Sequence, residues 1–508
     1  MRPRIFVHIC TRDVSREQSQ PMIVAYFAMI MGIVATQPLM AQAQWHTAAA
    51  CSVTVNNVAA SDQCFATAIS ANGRHVLFAS RAPSLPGAFG SDIIEVYAFD
   101  RQAGRVSIVS APGGASQGGE RDSVAPAVSA DGRFVALQTE ASALVPPQPI
   151  FVGPRIVVVD RDRDSDGIFD EPGVGGRAVV AVSVSSEGTP INNALRPSIS
   201  ASGRFVTFHA STQPLLRGDA TGLPYLTVSA DVFVHDRDAD GNGIFDETAV
   251  GRRKTVKVNV DFSGQPAAAG SNSIDAVISG SGRIVVFESN AINLVADDTN
   301  GLSDIFAHDR DADGNGVFDE PGGIATTRVD VSTSGAQANG PTSRPSVSDD
   351  GRFVAFDSLA TNLVNVATNG VRQVYLRDRM TQTTRIVSAR GGKAAAQSHC
   401  YAPSISADGR YVAFQTAANE LVPGDTNGSF DVIVWDRLAV DSVLQSTARP
   451  AFVRASVANS GAQVEFGGIW PAISGDGRSL AFASVSTDII PVARSAINRQ
   501  IYVAQRSN

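Results

Sequence analysis

Short runs of β-branched and aromatic residues recur along the chain, usually on both sides of a tight turn. In seven segments a short strand is followed by an Asp-Gly, Asn-Gly or Ser-Gly turn and then by a second strand such as "RFVAF". Such turns supply the positive φ angles of a hairpin, and the run after each turn has the composition of a buried strand. The pattern predicts seven copies of one β-hairpin. They begin at Ala68, Ala127, Ser198, Val277, Ser346, Ser404 and Ala472.

Each copy continues with two further apolar runs. The third strand is typified by "DVFVHDR" from Asp231 and "DIFAHDR" from Asp304, and the fourth by "TTRIVSA" from Thr383. No convincing 3.6-residue periodicity accompanies them, which argues against helices between the strands. Four short strands per unit, repeated seven times, predict an all-β fold, namely a seven-bladed β-propeller with four antiparallel strands in each blade.

The seventh unit, from Trp470 to Asn508, contains only three strand-like runs. The segment "CSVTVNNVA", Cys51 to Ala59, has the alternation of a strand and precedes the first hairpin. We expect it to be the fourth strand of the last blade, because this pairing would leave no open sheet edge. Residues 44–508 would then form a single propeller domain.

The hairpin "S-x-D-G-R-x-V-A-F" followed by "D-V-F-V-x-D-R" resembles the TolB-like family of WD40-like propeller repeats found in secreted bacterial proteins. The resemblance extends from about Cys51 to Asn508 and implies the propeller fold. It does not imply a function, since propellers host many functions. The sequence also departs from TolB itself, because no α/β domain precedes the repeats, so the role of TolB in envelope complexes does not carry over.

The amino terminus has the features of an export signal. Basic residues precede an apolar run from Met22 to Ala35, and "AQA" at Ala41–Ala43 fits a small-residue cleavage pattern. We therefore expect residues 1–43 to be a signal peptide and the protein to be secreted, to the periplasm or to the medium; an uncleaved anchor is the alternative. No later segment is apolar and long enough to span a membrane. In an oxidising compartment, Cys51 and Cys64 are the nearest candidates for a disulfide.

The net charge of −8 argues against nucleic-acid binding. One acidic phrase accounts for the charge, because three copies of it carry more negative charge than the whole chain. It is "HDRDADGNGIFDE" at His235, "HDRDADGNGVFDE" at His308 and the looser "DRDRDSDGIFDE" at Asp160. In units two to four the phrase follows the third strand, so we expect it to form the hairpin between the two outer strands.

Alternating acids in a glycine-bearing loop are typical of calcium sites. The copies at Asp236 and Asp309 fit the EF-hand spacing, with Glu247 and Glu320 closing the site. A second frame, D-x-D-x-N-G-x-x-D, resembles thrombospondin type-3 loops and also fits the first copy, where Ser165 excludes the EF-hand frame. Hard oxygen ligands favour Ca²⁺ over zinc or copper. The candidate ligands are Asp162, Asp164, Asp166, Asp170, Glu171, Asp236, Asp238, Asp240, Asn242, Asp246, Glu247, Asp309, Asp311, Asp313, Asn315, Asp319 and Glu320.

Two further features have a structural interpretation beside a chemical one. The "DTNG" loops at Asp298 and Asp425 could form smaller cation sites, but the equivalent loop of unit five keeps "TNG" without the acids, which favours an Asn-Gly turn. For the acidic phrases, the alternative to a calcium site is a hairpin whose acids are exposed to solvent without a bound ion. The arginines after the hairpin glycines recur in every unit, which predicts a pairing with a neighbouring aspartate. They are Arg74, Arg133, Arg204, Arg283, Arg352, Arg410 and Arg478.

No catalytic motif stands out from the repeats. "GASQG" at Gly114 to Gly118 matches a nucleophile elbow but lacks its strand–turn–helix context. The histidines, among them His209, His235 and His308, fall in different radial layers and are expected to pack.

The favoured function is therefore a monomeric, calcium-binding scaffold. It would bind a protein or glycan partner on one propeller face, through the variable loops between second and third strands at Arg81 and Ser211. The alternative is an exported hydrolase or lyase acting on polysaccharide or peptide. That function requires two or more acids, or several histidines, to meet at the propeller axis.

Overall fold

The regular structure of the protein is almost entirely β, as predicted. Seven four-stranded antiparallel sheets are present, with short helical turns at Ser142–Leu144 and Arg437–Asp441. None of the helices in the described residues is long and apolar enough to cross a membrane. The computed structural model describes residues 44–53, 59–90, 92–112, 115–145, 153–171, 175–211, 216–217, 225–226, 229–441, 451–490 and 498–507.

Each sheet is one blade of a seven-bladed propeller, so the predicted fold class is confirmed. The first six blades use their strands in chain order from the innermost outward. Two-residue hairpins also join Leu216–Arg217 to Tyr225–Leu226 and Ala389–Arg390 to Ala394–Ala395. The blades are Cys64–Ile69, His75–Ser80, Glu95–Asp100 and Arg105–Ile108; Ser123–Val128, Phe134–Thr139, Arg155–Asp160 and Ala178–Ala181; Ala194–Ile199, Phe205–Ser211, Ala230–Asp236 and Lys254–Lys257; Ser273–Ile278, Ile284–Ser289, Asp304–Asp309 and Ala325–Arg328; Thr342–Val347, Phe353–Ser358, Gln373–Asp378 and Thr383–Ile386; Cys400–Ile405, Tyr411–Thr416, Asp431–Asp436 and Phe452–Arg454.

Blade 7 combines the two ends of the described chain. Its first three strands are Ile469–Ile473, Ser479–Ser484 and Gln500–Arg506, and its fourth is Trp45–Ala50, which pairs antiparallel with Gln500–Arg506. An amino-terminal strand thus closes the ring, as predicted. The range predicted for it, Cys51 to Ala59, is wrong, because the strand ends at Ala50.

The strand was misplaced because a polar residue follows the fourth strand in every blade and accepts a hydrogen bond from an amide of the third strand. We call this residue the cap. Ser52 Oγ accepts a hydrogen bond from the amide of Ile501, at 2.9 Å. The alternation of "CSVTV" therefore marks the cap and not the strand itself. The same bond joins Ser110 to Val96, Ser183 to Ile156, Asn259 to Val232, Asp330 to Ile305, Ser388 to Val374 and Ser456 to Val432.

The inner turns form a second closed ring around the axis. Each turn donates a backbone hydrogen bond of 3.0 to 3.2 Å to the next one, and Asp476 returns the last to Ala71. The core follows the same plan, because seven buried apolar clusters each combine residues of two adjacent blades. Every blade is therefore held by both neighbours. The other donor–acceptor pairs of the turn ring are Ala71–Ala130, Ala130–Ala201, Ala201–Gly280, Ser281–Asp349, Asp349–Ala407 and Ala407–Gly475.

Six of the seven repeated arginines bind aspartates at the end of the third strand, as predicted. The prediction is wrong for Arg478, because blade 7 has Gln505 at the position of the aspartate. Arg204, for example, donates from Nε and one terminal nitrogen to the two oxygens of Asp236, at 2.7 and 2.8 Å. Such bidentate pairs are the strongest geometry for this ion pair. The other pairs are Arg74–Asp100, Arg133–Asp160, Arg283–Asp309, Arg352–Asp378 and Arg410–Asp436.

The three cysteines of the described residues, Cys51, Cys64 and Cys400, are free and buried. The disulfide predicted between Cys51 and Cys64 is therefore not formed. Cys64 Sγ lies 3.3 Å from Ser80 Oγ instead, and burial raises the pKa of the Cys64 thiol to about 11. Both thiols thus behave as small apolar side chains in the buried cluster between blades 7 and 1.

Candidate cation loops and an axial polar cluster

The three acidic phrases form the hairpins between the third and fourth strands of blades 2, 3 and 4, as predicted. They project from the side of the disc that carries the inner turns, since both kinds of hairpin follow strands running in the same direction. We call this side the turn face. The opposite side, where the third strands begin, is called the loop face.

The first acid of each phrase belongs to the blade framework. Asp160, Asp236 and Asp309 are the aspartates bound by Arg133, Arg204 and Arg283. Both oxygens of each carboxylate accept a hydrogen bond from the guanidinium. In the EF-hand frame, the first ligand of the second and third copies, Asp236 or Asp309, is thus already paired with an arginine.

The last aspartate of the second frame is also paired. Asp170, Asp246 and Asp319 accept from Nε of Arg161, Arg237 and Arg310 at 2.9 to 3.0 Å. These three arginines are fully buried and also donate to the carbonyl of a hairpin glycine at 2.7 Å. Although burial acts in the opposite direction, Arg161 holds the pKa of Asp170 below its ordinary value. The structure thus uses these aspartates as anchors of the hairpin.

The phenylalanine before each anchoring aspartate packs against the preceding blade. Phe245 lies 5.4 Å from Phe134 and Phe318 lies 5.3 Å from Phe205, measured between ring centroids. Phe169 stacks on His75 at 5.0 Å. The "F-D" part of each phrase therefore packs one blade against its neighbour, which leaves the first half of the phrase as the candidate cation loop.

In the first copy, Asp162, Asp164 and Asp166 come together. Each offers a carboxylate oxygen within 4.8 Å of the others, so this acidic cluster could hold a metal ion. Asp162 is buried and accepts from the amides of Asp166 and Gly167, at 3.0 to 3.3 Å. Slight desolvation and the charges of these aspartates raise the pKa of Glu171.

The second copy is arranged around a buried oxygen. Asp238 is 4% exposed; its Oδ2 accepts from Gly243 at 3.1 Å, whereas Oδ1 is buried and has no hydrogen-bond partner in the described part of the chain. Asn242 donates to Glu247 at 2.7 Å. Arg252 pairs with Asp240 and lies 3.7 Å from Glu247, so a guanidinium supplies part of the positive charge here.

The third copy repeats the loop without that arginine. Asp311 accepts from Gly316 at 3.2 and 3.3 Å, and Asn315 donates to both Asp313 and Glu320. No basic side chain of the described residues forms an ion pair with Asp311, Asp313 or Glu320. The three acids of the first copy thus lie together, and in the second and third copies Asn242 and Asn315 contact the following glutamate. All of these candidate ligands are hard oxygens.

In the "DTNG" loops, an arginine of the fourth strand supplies the positive charge beside the acids. Arg328 lies 2.7 Å from Asp298 and 3.3 Å from Asp304, and Arg454 holds Asp425 and Asp431 in the same way. Blade 5, which lacks the acids, has Ile386 where these arginines stand. The Asn side chains close turns, as Asn300 Oδ1 accepts from Leu302 at 2.9 Å. These loops are therefore turns braced by an ion pair.

A further polar cluster lies on the axis, where two positions of the repeat vary between blades. One is a bulged residue of the innermost strand, at φ between +48° and +54°. The other is the fifth residue of the second strand, which is beside it in the sheet. The bulge position holds Ala66, Ala125, Arg196, Asp275, Arg344, Ala402 and Trp470. The second-strand position holds Ala79, Gln138, His209, Glu288, Asp357, Gln415 and Ala483.

Several of the axial groups hold one another. Arg196 forms an ion pair with Asp275 of the next blade. Asp357 accepts from Ser343 at 2.8 Å, from Arg372 at 2.6 Å and from the amide of Ala402 at 3.1 Å. Its fourth contact, with Arg344, is longer at 3.4 Å. The axial arc of blades 3 to 5 is thus charged, whereas blades 1, 2 and 6 present alanine at the bulge.

Glu288 and His209 complete this arc. Burial and the charges of Asp275 and Asp357 raise the pKa of Glu288 to about 7, although Ser303 donates to it at 2.8 Å. Burial lowers the pKa of His209 to about 4, and its Nδ1 has no hydrogen-bond partner in the described chain. Three acids and one histidine therefore occupy axial positions of blades 3 to 5, where the enzyme alternative requires its acids.

The sequence contained a signal for this cluster that the motif search missed. Motifs are recognised by what recurs, whereas the axial residues are the positions that differ inside an otherwise constant hairpin. The other histidines pack as predicted: Nδ1 of His235 lies 2.7 Å from Thr255 Oγ1, and Nδ1 of His308 lies 2.9 Å from Thr326 Oγ1. In "GASQG", Gly114 falls outside the described residues.

No family model and no curated protein matches the chain. Solved structures resemble it, and they include TolB from Acinetobacter baumannii, 14% identical with a TM-score of 0.35. That match covers 75% of this chain but 63% of the TolB chain, less than two thirds of its length. An oligogalacturonate lyase in complex with manganese is 11% identical, with a TM-score of 0.44 and coverage of 92% and 99%. The oligogalacturonate lyase of Vibrio parahaemolyticus is 11% identical with a TM-score of 0.42, and the match covers 91% of this chain and 97% of the lyase chain.

The sheet topology makes the protein a seven-bladed β-propeller. TolB structures are among its structural neighbours, as the repeats predict. Identities of 11 to 14% with TM-scores below 0.5 concern the fold alone. What the protein binds follows from its own residues.

Proposed function

We propose that the protein is an exported, calcium-stabilised β-propeller that serves as a binding scaffold. The observation that carries the calcium assignment is the division of labour within the acidic hairpins. Arginines bind the outer aspartates of each phrase, while loop amides donate to Asp162, Asp238 and Asp311. The buried, unpartnered Oδ1 of Asp238 is the kind of atom that a cation satisfies.

Calcium fits the donor set better than other ions. Carboxylates, an Asn side-chain oxygen and backbone carbonyls are its usual ligands, and it accepts six to eight of them in irregular geometry. Magnesium demands a stricter octahedron, and zinc prefers nitrogen and sulfur. In the hairpins the ion would be held by Asp162, Asp164 and Asp166, or by Asp238, Asp240 and Asn242, and their counterparts in blade 4. Its role there is structural, since it would order the three acidic hairpins, which we call the rim hairpins.

We expect calcium to raise the melting temperature and a chelator to lower it. At a calcium concentration a hundredfold above Kd, each independent site contributes about 2.7 kcal/mol to stability. Calorimetry and thermal melts of the wild type should be compared with Asp164→Asn and Asp311→Asn, each of which should weaken calcium uptake. Glu465→Gln, an exposed acid outside the hairpins, is the matched control. Absence of calcium uptake, or uptake that both variants leave unchanged, would contradict the assignment.

The partner is proposed to be a protein or a glycan bound on one face by the monomeric disc. The loops between second and third strands vary between blades on a constant scaffold, which suits them to recognition. Most of the loop that begins at Ser211 lies outside the described residues. Export to the periplasm or the medium would place the rim hairpins where calcium is abundant.

A second candidate function is catalysis at the axis, as a hydrolase or lyase. Glu288 supports it, because a buried carboxyl with a pKa near 7 can both donate and accept a proton at neutral pH. A screen of glycosidase, lyase and peptidase substrates on the wild type tests this function. Turnover that falls by about 10² or more in Glu288→Gln, with binding retained, is the expected signature. Turnover unchanged in that variant would exclude Glu288 from the chemistry.

A further inference from the structure

Arg344 is the least committed charged group on the axis. Its side chain is 51% exposed, and within the described residues its one ion pair is the 3.4 Å contact with Asp357. Its guanidinium carbon lies 5.7 Å from the centroid of the Tyr401 ring. Asp357 does not need that contact, because Ser343, Arg372 and the Ala402 amide already satisfy it. A guanidinium has five N–H donors in a planar fork. Most of those of Arg344 therefore remain free to meet a ligand.

The surrounding positions leave space in front of Arg344. The seven bulged residues form one ring, in which Arg196, Asp275 and Arg344 occupy three consecutive blades. The ring positions of blades 1, 2 and 6 are alanines, and the second-strand positions of blades 1 and 7 are alanines as well. The innermost strands are only partly buried, so the axis is open to solvent. The charged arc thus shares the ring with three alanines and with Trp470 of blade 7.

Two further axial residues, His209 and Glu288, do not hydrogen-bond to the next blade of the described chain as their counterparts do. Gln138, Asp357 and Gln415 each accept a hydrogen bond from the bulged residue of the next blade, at 2.7 to 3.3 Å. In the described structure the equivalent bond is not made by His209 or Glu288, and His209 Nδ1 is a buried nitrogen without a partner. A buried polar atom of this kind indicates a missing ligand or water.

The charge of the axis favours an anion. Arg196, Arg344 and Arg372 contribute three positive charges, and Asp275 and Asp357 two negative ones, with Glu288 partly protonated at neutral pH. Arg499 adds a fourth cation over the Trp470 ring, at 4.6 Å. A planar guanidinium binds a carboxylate through two parallel hydrogen bonds. The neighbouring Asp275 would accept from a hydroxyl or ammonium group of the same ligand.

We propose that the axial cluster binds a small ligand through a carboxylate group, with Arg344 as the anchor that holds that carboxylate. A sugar acid and the carboxyl terminus of a short peptide both offer this chemistry beside hydroxyl or ammonium donors. The site is separate from the rim hairpins, so it goes beyond the calcium-stabilised scaffold and does not depend on calcium. It also does not require turnover, which keeps it distinct from the enzyme alternative.

The test uses two matched pairs of probes on the full chain. One pair is an oligouronate and its carboxyl-reduced neutral form, and the other is a tripeptide and its carboxyl-terminal amide. Isothermal titration should detect binding of at least one carboxylate probe and an affinity at least roughly tenfold lower for its neutral partner. The pair that responds identifies the source of the carboxylate. Titrations with calcium and with chelator separate this site from the rim.

Arg344→Ala is the informative variant, because the fold already tolerates alanine at this bulge. Ala402 occupies the equivalent position at φ +50°, close to the +53° of Arg344. We expect an unchanged melting temperature and a loss of roughly tenfold or more in affinity. Arg478→Ala, on the turn face, is the control and should bind as the wild type does. Lack of binding by all four probes, equal binding of charged and neutral forms, or unchanged affinity in Arg344→Ala would each overturn the proposal.

Discussion

Glu95→Gln should stabilise the propeller above neutral pH and have little effect near pH 4. Glu95 begins the third strand of blade 1 and is 1% exposed. One of its oxygens accepts from Ser110, while the other is buried and lacks a partner in the described structure. Burial raises the pKa of this carboxyl from 4.5 to about 8. The folded protein therefore keeps a proton that the unfolded chain has already released.

The sign of the pH dependence follows from that difference. Below pH 4.5 both states are protonated, so the carboxyl is neutral with respect to folding. Between pH 4.5 and 8 the unfolded chain ionises first, which progressively favours unfolding. Above pH 8 the penalty is complete; at about 1.4 kcal/mol per pKa unit it reaches roughly 3 to 5 kcal/mol. An uncharged isostere removes this penalty.

Two other blades already contain the substitution. Gln373 and Gln500 stand at the equivalent position, and each accepts from the cap serine. Their amides donate to the carbonyls of Ala396 and Ala60, at 2.9 and 3.1 Å. In blade 1 the corresponding residue is Gly119, because its amide donates to the carbonyl of Ser110 as those of Ala396 and Ala60 donate to Ser388 and Ser52. A glutamine should thus find the same two partners there.

Denaturation at pH 5 and pH 8.5 measures the effect. The gain in unfolding free energy should be several kcal/mol at the higher pH and small at the lower one. Glu187→Gln, an exposed acid, serves as the control and should show no such divergence. A gain of equal size at both pH values would point to a packing effect, and a loss at pH 8.5 would refute the titration argument.

A chain that starts at residue 54 should lose the propeller fold or aggregate. It lacks Trp45–Ala50, the fourth strand of blade 7, and so exposes the edge of Gln500–Arg506. It also lacks Trp45, which is 3% exposed and packs in the buried cluster between blades 6 and 7. Removal of a buried tryptophan alone costs about 3 to 5 kcal/mol. The lost strand pairing and the open edge add to that cost.

The matched control is a chain that starts at residue 44, which retains the complete fourth strand. Circular dichroism melts and light scattering on both chains make the comparison. The shorter chain should show a broad or strongly lowered transition and large particles. If it melts like the control and stays monodisperse, closure by this strand does not stabilise the ring.

The blades could be predicted because their signals are local and repeated. The turn glycines and the buried second strands occur seven times, so chance agreement is small. The closing strand was misplaced by several residues because "CSVTV" alternates like a strand. Only the contact between Ser52 and Ile501, far apart in sequence, shows that it is the cap. Alternation alone does not separate a strand from the extended segment beyond its end.

The acidic hairpins were located correctly, but the use of their acids was not predictable. Asp246 is anchored by Arg237, nine residues away, and Asp236 by Arg204, thirty-two residues away. Nothing in the spacing of the phrase reveals which aspartates are already neutralised. The axial cluster was missed for a related reason, since Arg344 and Glu288 each occur once and become neighbours only when the blades form a ring.

The pairing of Trp45–Ala50 with Gln500–Arg506 in blade 7 also determines how the propeller would respond to tension between the two ends of the described chain. Trp45 stands opposite Arg506, and Gln44 and Ser507 exchange hydrogen bonds of 2.8 and 2.9 Å beyond them. The two ends of the described chain thus leave side by side, so pulling them apart opens the pairing like a zip, one bond at a time. Tension between the two ends would therefore load the pairing of the first strand before any other part of blade 7.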